Sequence, residues 1–129
     1  MRRAWSHGDP HLGNVLYDPV SQQARLLDFE TQHERCRPAE WRHADDLLTL
    51  MLELISRTAA ETWPALLGAL LGGYDSKRIA GEVHRRLCSS SASERLLWLS
   101  RSPESTLSKL KASLPRVIGV LEARGVNSR

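Results

Sequence analysis

The sequence predicts an α+β chain in which one short β-hairpin precedes a mainly helical bundle. Two observations carry this. Strand-like runs, "NVLYD" and "ARLLDF", occur near the start and nowhere else. From Arg37 onward, apolar residues recur at helical spacing instead. A length of 129 residues suits one domain with a modest core.

Each element has its own signal. Gly8, Pro10 and Gly13 make the segment before the first run a loop. The two runs are separated by "PVSQQ", which supplies turn chemistry, so they read as a hairpin. Pro38 fits a first helical turn. Ala44, Leu47, Leu48, Met51, Leu52 and Ile55 then repeat at i, i+3, i+4, i+7, i+8 and i+11 along the helix that starts there, with 44–55 as its buried centre. Leu50 and Leu54 fall off that stripe, so this helix is apolar on more than one face and should be buried. A second helix is expected over 60–71, stopping at Gly72 and Gly73. Further helices are expected over 76–87, 92–100 and 104–122, with "SSSAS" as a polar joint before the fourth. Pro103 suits a first turn, and Pro115 should kink or split the last helix.

Composition narrows the function classes. Apolar content of 41% and charged content of 26% are ordinary for a soluble globular protein. The net charge of +3 is mild, and the 18 Lys and Arg are spread along the chain. Doublets such as Arg2 with Arg3, Lys77 with Arg78 and Arg85 with Arg86 read as a solvated basic surface. Few aromatics accompany them, so no nucleic-acid partner is expected. Trp5, Trp41, Trp63 and Trp98 read as core or rim packing, and His84 as a surface or partly buried residue. Cys36 and Cys88 lie far apart, with no partner at metal spacing, which suits a reducing compartment. "MRRAWSHGDP" has no apolar run behind its charge, and "LLTLMLELI" and "WPALLGALLGGY" are too short to span a bilayer. The expectation is a cytoplasmic protein without a membrane partner.

The polar chemistry sits at the N-terminal end. Asp9 and Asn14 lie on one tight loop entering the first strand. Asp28 ends the second strand, which a hairpin places beside the start of the first. A carboxylate and an amide presenting oxygens to one point suit a hard cation such as Mg²⁺. Asp9 would then be left to accept a proton or orient a hydroxyl. That is the chemistry of phosphoryl transfer. Taken singly, an Asp before an apolar run is more often a turn or cap residue. "HGDPH" also reads as an H-x-D-x-H metal cluster of a zinc hydrolase, joined by His33 and His43. That alternative gives Asn14 and "LLDFE" no role.

"HGDPHLGNVLYD" followed by "LLDFE" resembles the catalytic and metal-binding segments of the aminoglycoside phosphotransferase/choline kinase family of kinase-like enzymes. The order H-x-D-x-x-x-x-N, hairpin, D-F-E parallels H-R-D-x-x-x-x-N and D-F-G of protein kinases. Gly8 stands where protein kinases carry arginine and His11 where they carry lysine, which favours the small-molecule branch. The resemblance implies Asp9 as catalytic base, Asn14 as a metal ligand and Asp28 as the principal metal ligand. It implies His7 as support for the loop and His11 as a phosphate-side contact. "WRHADDLLTL" resembles the family's acidic residue that opens a buried helix and braces the catalytic loop. Asp46 is the better match and Asp45 the alternative, because backbone N–H groups of the loop need acceptors. Mg²⁺ is the implied cofactor, ATP the co-substrate, and a hydroxyl-bearing small molecule the acceptor.

The resemblance reaches only one half of a kinase. It implies that residues 1–129 form a single partial domain, the C-terminal lobe of a protein-kinase-like fold with the N-lobe absent. Residues 6–30 would hold the catalytic loop, hairpin and metal motif, and 38–129 the helical part. No glycine-rich phosphate loop and no upstream lysine stand before Asp9 in this sequence. The glycines of residues 68–74 read as a helix end. The expectation is a phosphotransferase fragment inactive alone, or half of a split kinase completed by an N-lobe on another chain. A non-catalytic binding or scaffold module is the alternative. Loss of the smaller lobe should expose apolar surface around Trp5, Val15 and Leu26 and favour association.

Overall fold

The computed structural model describes residues 6–28, 36–101 and 107–126. Strands β1 (Val15–Asp18) and β2 (Gln23–Leu26) form an antiparallel hairpin, after a single 3₁₀ turn at Leu12–Asn14. Five helices follow: α1 (Ala39–Arg57), α2 (Trp63–Tyr74), α3 (Lys77–Ser89), α4 (Ala92–Arg101) and α5 (Leu107–Ala123). The architecture is α+β and mostly helical.

The hairpin follows from its turn. Val15 pairs with Leu26 and Asp18 with Gln23, leaving Pro19 to Gln22 to reverse the chain. Asp18 Oδ1 accepts the Val20 N–H at 2.9 Å, an aspartate turn that closes the reversal. These hydrogen bonds, that of Ser21 foremost, hold the Asp18 carboxyl below its ordinary value. Leu16, Tyr17 and Val20 are exposed at 59%, 61% and 92%. Apolar surface around Val15 and Leu26 is thus exposed at the adjacent Leu16 and Leu27, while Val15 and Leu26 themselves are half-buried. Trp5 lies outside the described residues.

Helix α1 is the centre of the bundle, packing against all four other helices and the 3₁₀ turn. Ala44, Leu47, Leu48, Met51, Leu52 and Ile55 are all buried, as their spacing predicts. They meet Trp63, Leu67 and Leu71 of α2, Val83 and Leu87 of α3, Trp98 of α4, and Leu110, Val117 and Leu121 of α5. Burial of this set supplies the main stabilising term. A second face of α1 is buried and polar: Asp45, Asp46, Thr49, Glu53 and Ser56. That face meets the N-terminal loop.

Two helices differ from expectation, and a third begins where expected. Helix α2 runs through Gly72 and Gly73, because the left-handed cap conformation is taken by Asp75, at φ 44°. Asp75 closes the helix by donating its N–H to the Leu71 carbonyl at 3.1 Å. Helix α5 is not split at Pro115. Leu114, Val117 and Leu121 anchor it in the core on both sides, and Pro115 itself faces solvent. Helix α4 begins with a reciprocal cap in which Ser91 N–H donates to Glu94 and Glu94 N–H donates to the Ser91 hydroxyl. Pro103 lies outside the described residues.

Two surface expectations are also corrected. His84 is buried at 2% exposure, with its Nε2 3.2 Å from Glu122. Arg86 is buried at 7%, because its guanidinium pairs with Asp45 and stacks on the Trp41 ring at 4.8 Å. Trp63 and Trp98 are core residues and Trp41 is half-buried, in line with a packing role. Among the described residues no helix is long and apolar enough to cross a membrane.

Candidate active site

The loop over residues 6–14 crosses the polar face of α1, and its backbone is held at nearly every step. The His7 N–H donates to Asp46 Oδ2 at 2.7 Å and the Gly8 N–H to Asp46 Oδ1 at 2.8 Å. One buried carboxylate thus satisfies two consecutive donors that would otherwise be orphaned. The Leu12 N–H donates to Glu53, about two turns further along α1. Gly8 sits at φ 93°, a conformation that side chains resist, so the bend needs glycine here.

The Gly8 carbonyl is gripped as well. Arg101, at the end of α4, donates to it through Nη2 at 3.0 Å and to Asp45 Oδ2 through Nη1 at 2.8 Å. Asp45 also accepts from Arg86 at 3.0 Å, so two arginines share one buried carboxylate. The two adjacent aspartates therefore divide the work. Asp46 binds the loop directly and Asp45 fixes the arginine that binds it from the other side.

His7 ties this loop to the hairpin. Its ring Nδ1 accepts the Asp9 N–H at 3.3 Å, and its Nε2 lies 2.8 Å from the Leu27 carbonyl. An accepting Nδ1 assigns the proton to Nε2, which then donates to Leu27. The Leu27 N–H in turn donates to the Asn14 carbonyl at 2.7 Å. Asn14 and Asp28 consequently sit at neighbouring ends of the two strands. Asp28 is exposed and takes φ 59°, a turn that ends the strand. Phe29 and Glu30 of "LLDFE" lie outside the described residues.

Asp9 occupies the rim of a cleft, its side chain 36% exposed. His11 Nε2 lies 2.9 Å from Asp9 Oδ1, and Arg101 Nη2 lies 4.0 Å from the same oxygen. Among the described residues Oδ2 has no partner. His11 Nδ1 is 3.7 Å from Glu53, so this imidazole stands between two carboxylates. Arg57 Nη2 completes Glu53's shell at 2.8 Å.

Of the residues singled out in the sequence, Asp9, His7, His11, Asn14, Asp28 and Asp46 belong to this one connected arrangement. His43 does not: its Nδ1 lies 3.3 Å from the Tyr74 hydroxyl, and His33 lies outside the described residues. Among the described residues no three His, Cys, Asp or Glu side chains cluster in a way that could hold a metal. Arg101, Glu53 and Arg57 were not foreseen. Glu53 had a signal, since Asp45, Thr49, Glu53 and Ser56 repeat at helical spacing on α1. Arg101 had none, being 93 residues from the carbonyl it holds. No family model, curated protein or solved structure matches this chain.

Proposed function

We propose that this chain is the C-terminal lobe of a kinase-like phosphotransferase of the small-molecule type, which moves the γ-phosphate of ATP to a substrate hydroxyl. The observation that carries the reading is the brace of Asp46 and His7. It joins a loop bearing Asp9 and Asn14 to the strand end bearing Asp28. An ordinary turn aspartate needs no such support.

The roles follow from position. Asp9 would take the acceptor's proton on Oδ2, while His11 and Arg101 hold Oδ1 and so fix the direction of the free lone pair. Asn14 and Asp28 offer one amide and one carboxylate oxygen from adjacent strand ends, a hard donor pair that fits Mg²⁺. Bound there, Mg²⁺ supplies the positive charge that phosphoryl transfer requires. His7 and Asp46 act on the loop's geometry and touch no reactant. The lysine and glycine-rich loop that cover a nucleotide are not among these 129 residues. Turnover is therefore assigned to this chain together with a segment that supplies them. A cytoplasmic setting goes with the proposal, since neither Cys36 nor Cys88 is in a disulfide.

Mn²⁺ tests the metal pair on this chain directly, through paramagnetic broadening of backbone amide signals. Broadening centred on Asn14, Val15, Leu27 and Asp28 is expected. Asp28→Ala should weaken it by roughly 10- to 100-fold or more, the scale on which even outer partners of a metal act. Broadening centred elsewhere, or unchanged in Asp28→Ala, would sink the assignment.

A further inference from the structure

The cleft beside Asp9 has a volume of about 400 Å³, room for a small metabolite. The loop contributes Asp9 and His11, the end of α1 contributes Glu53 and Arg57, and the end of α4 contributes Ser100 and Arg101. Among the described residues no apolar side chain lines it.

The charges in this cleft are unevenly committed. Glu53 is buried and spends its oxygens on the Leu12 N–H and on Arg57, with His11 close by. Asp9 Oδ1 faces His11 and Arg101. Among the described residues the carboxylate oxygen left without a partner is Asp9 Oδ2, and the acceptor hydroxyl takes that position, so a cationic amine elsewhere on the same ligand would have no carboxylate of its own. The donors are less occupied. Arg57 is 46% exposed and, among the described residues, uses its guanidinium on Glu53 alone, out of a fork of N–H groups. Such a fork matches the geometry of a carboxylate or phosphate.

We infer that the acceptor of this site is a small hydroxy compound carrying an oxyanion, with Asp9 taking the hydroxyl and Arg57 the oxyanion. This rests on the phosphotransferase reading only for calling the ligand an acceptor. Amino sugars and amino alcohols, whose cations would meet Arg57 and Arg101, are disfavoured.

The test titrates the 129-residue chain with four probes and follows the amide signals of His11 to Asn14 and of Ser100 and Arg101. The probes are D-glycerate, glycerol 3-phosphate, glycerol and ethanolamine. At least one of the two anions should shift those signals, and the better of them marks carboxylate or phosphate as the preferred group. Glycerol and ethanolamine should bind roughly tenfold more weakly or worse. Arg57→Gln should lose about the same factor for the anion, and Arg57→Lys less, with thermal melts checking that both variants fold. Two silent anions, or tighter binding of ethanolamine, would overturn the inference on the parent chain without any variant. Anion binding that survives intact in Arg57→Gln would overturn the role of Arg57. Binding of Mn²⁺ at Asn14 and Asp28 with no anion binding removes the oxyanion site alone. Anion binding without Mn²⁺ supports the oxyanion site while counting against phosphoryl transfer.

Discussion

Asp46 Oδ1 accepts the backbone N–H of Gly8 at 2.8 Å, a bond that spans 38 residues and fixes the bend on which Asp9 follows. Its other oxygen takes the N–H of His7, so a single side chain on α1 sets two successive peptide planes of the loop. Both partners are buried.

Asp46→Ala leaves both N–H groups buried without acceptors. Hydrogen bonds to a charged group contribute about 1.5–3 kcal/mol each, and orphaned donors add a desolvation cost, so a loss of roughly 3 kcal/mol or more is expected. Asp46→Asn keeps one acceptor oxygen but turns an NH₂ toward a donor, and should fall between Ala and the parent. Urea unfolding measures this, with the His7 and Gly8 amide signals reporting the loop. If Asp46→Ala stayed within about 0.5 kcal/mol of the parent, as a plain surface change does, the brace would carry no weight.

Tyr74 gives a pH-dependent check on the same region. Burial, and then the charge of Asp46, hold its hydroxyl above the ordinary 10.0. His43 Nδ1, 3.3 Å away, is the other titratable group facing it. A raised folded-state value means that the neutral phenol is favoured in the native state. Its contribution is then complete below about pH 10 and is lost as pH rises through the folded value. Stability of the parent should thus decline on the alkaline side, and Tyr74→Phe should remove part of that decline while changing little at neutral pH. Parallel alkaline losses in parent and variant would show that Tyr74 is not the cause.

How much of this was legible follows from which signals are local. The hairpin and the apolar stripe of α1 were readable because turn residues and a 3.6-residue period are written in adjacent positions. Asp46 was readable only through a motif, which set it at the opening of a buried helix; α1 in fact begins at Ala39, so Asp46 braces the loop from about two turns inside it. The division of labour between Asp45 and Asp46 was not, since it depends on Arg86 and Arg101 arriving from α3 and α4. Arg85 and Arg86 look alike in sequence, yet one pairs with Glu82 on the surface and the other lies under Trp41. A charge doublet carries no record of which member faces inward. Helix ends misled for a related reason. Gly72 and Gly73 are free to end a helix, but Tyr74 packs against the core and draws the last turn onward to Asp75.

The base assigned to Asp9 is open to a kinetic test in a form of the protein that carries the nucleotide-covering segment. Asparagine preserves the size and one oxygen of the side chain but cannot take up the hydroxyl proton at neutral pH. Because His11 and Arg101 both face Oδ1, that oxygen's site is held by partners that also suit an amide oxygen, so the loop should keep its shape in Asp9→Asn. The proton-accepting position at Oδ2 becomes an NH₂ donor. Turnover should fall by roughly two to four orders of magnitude, the usual scale for a positioned acid–base group, while nucleotide affinity changes little. A structural role would give the opposite division, with stability lost and the remaining folded protein turning over normally. Steady-state rates with labelled ATP, set beside a urea melt of the same sample, separate the two. Equal turnover by the Asp9→Asn variant and the parent would remove Asp9 as the base and leave the cleft a binding site.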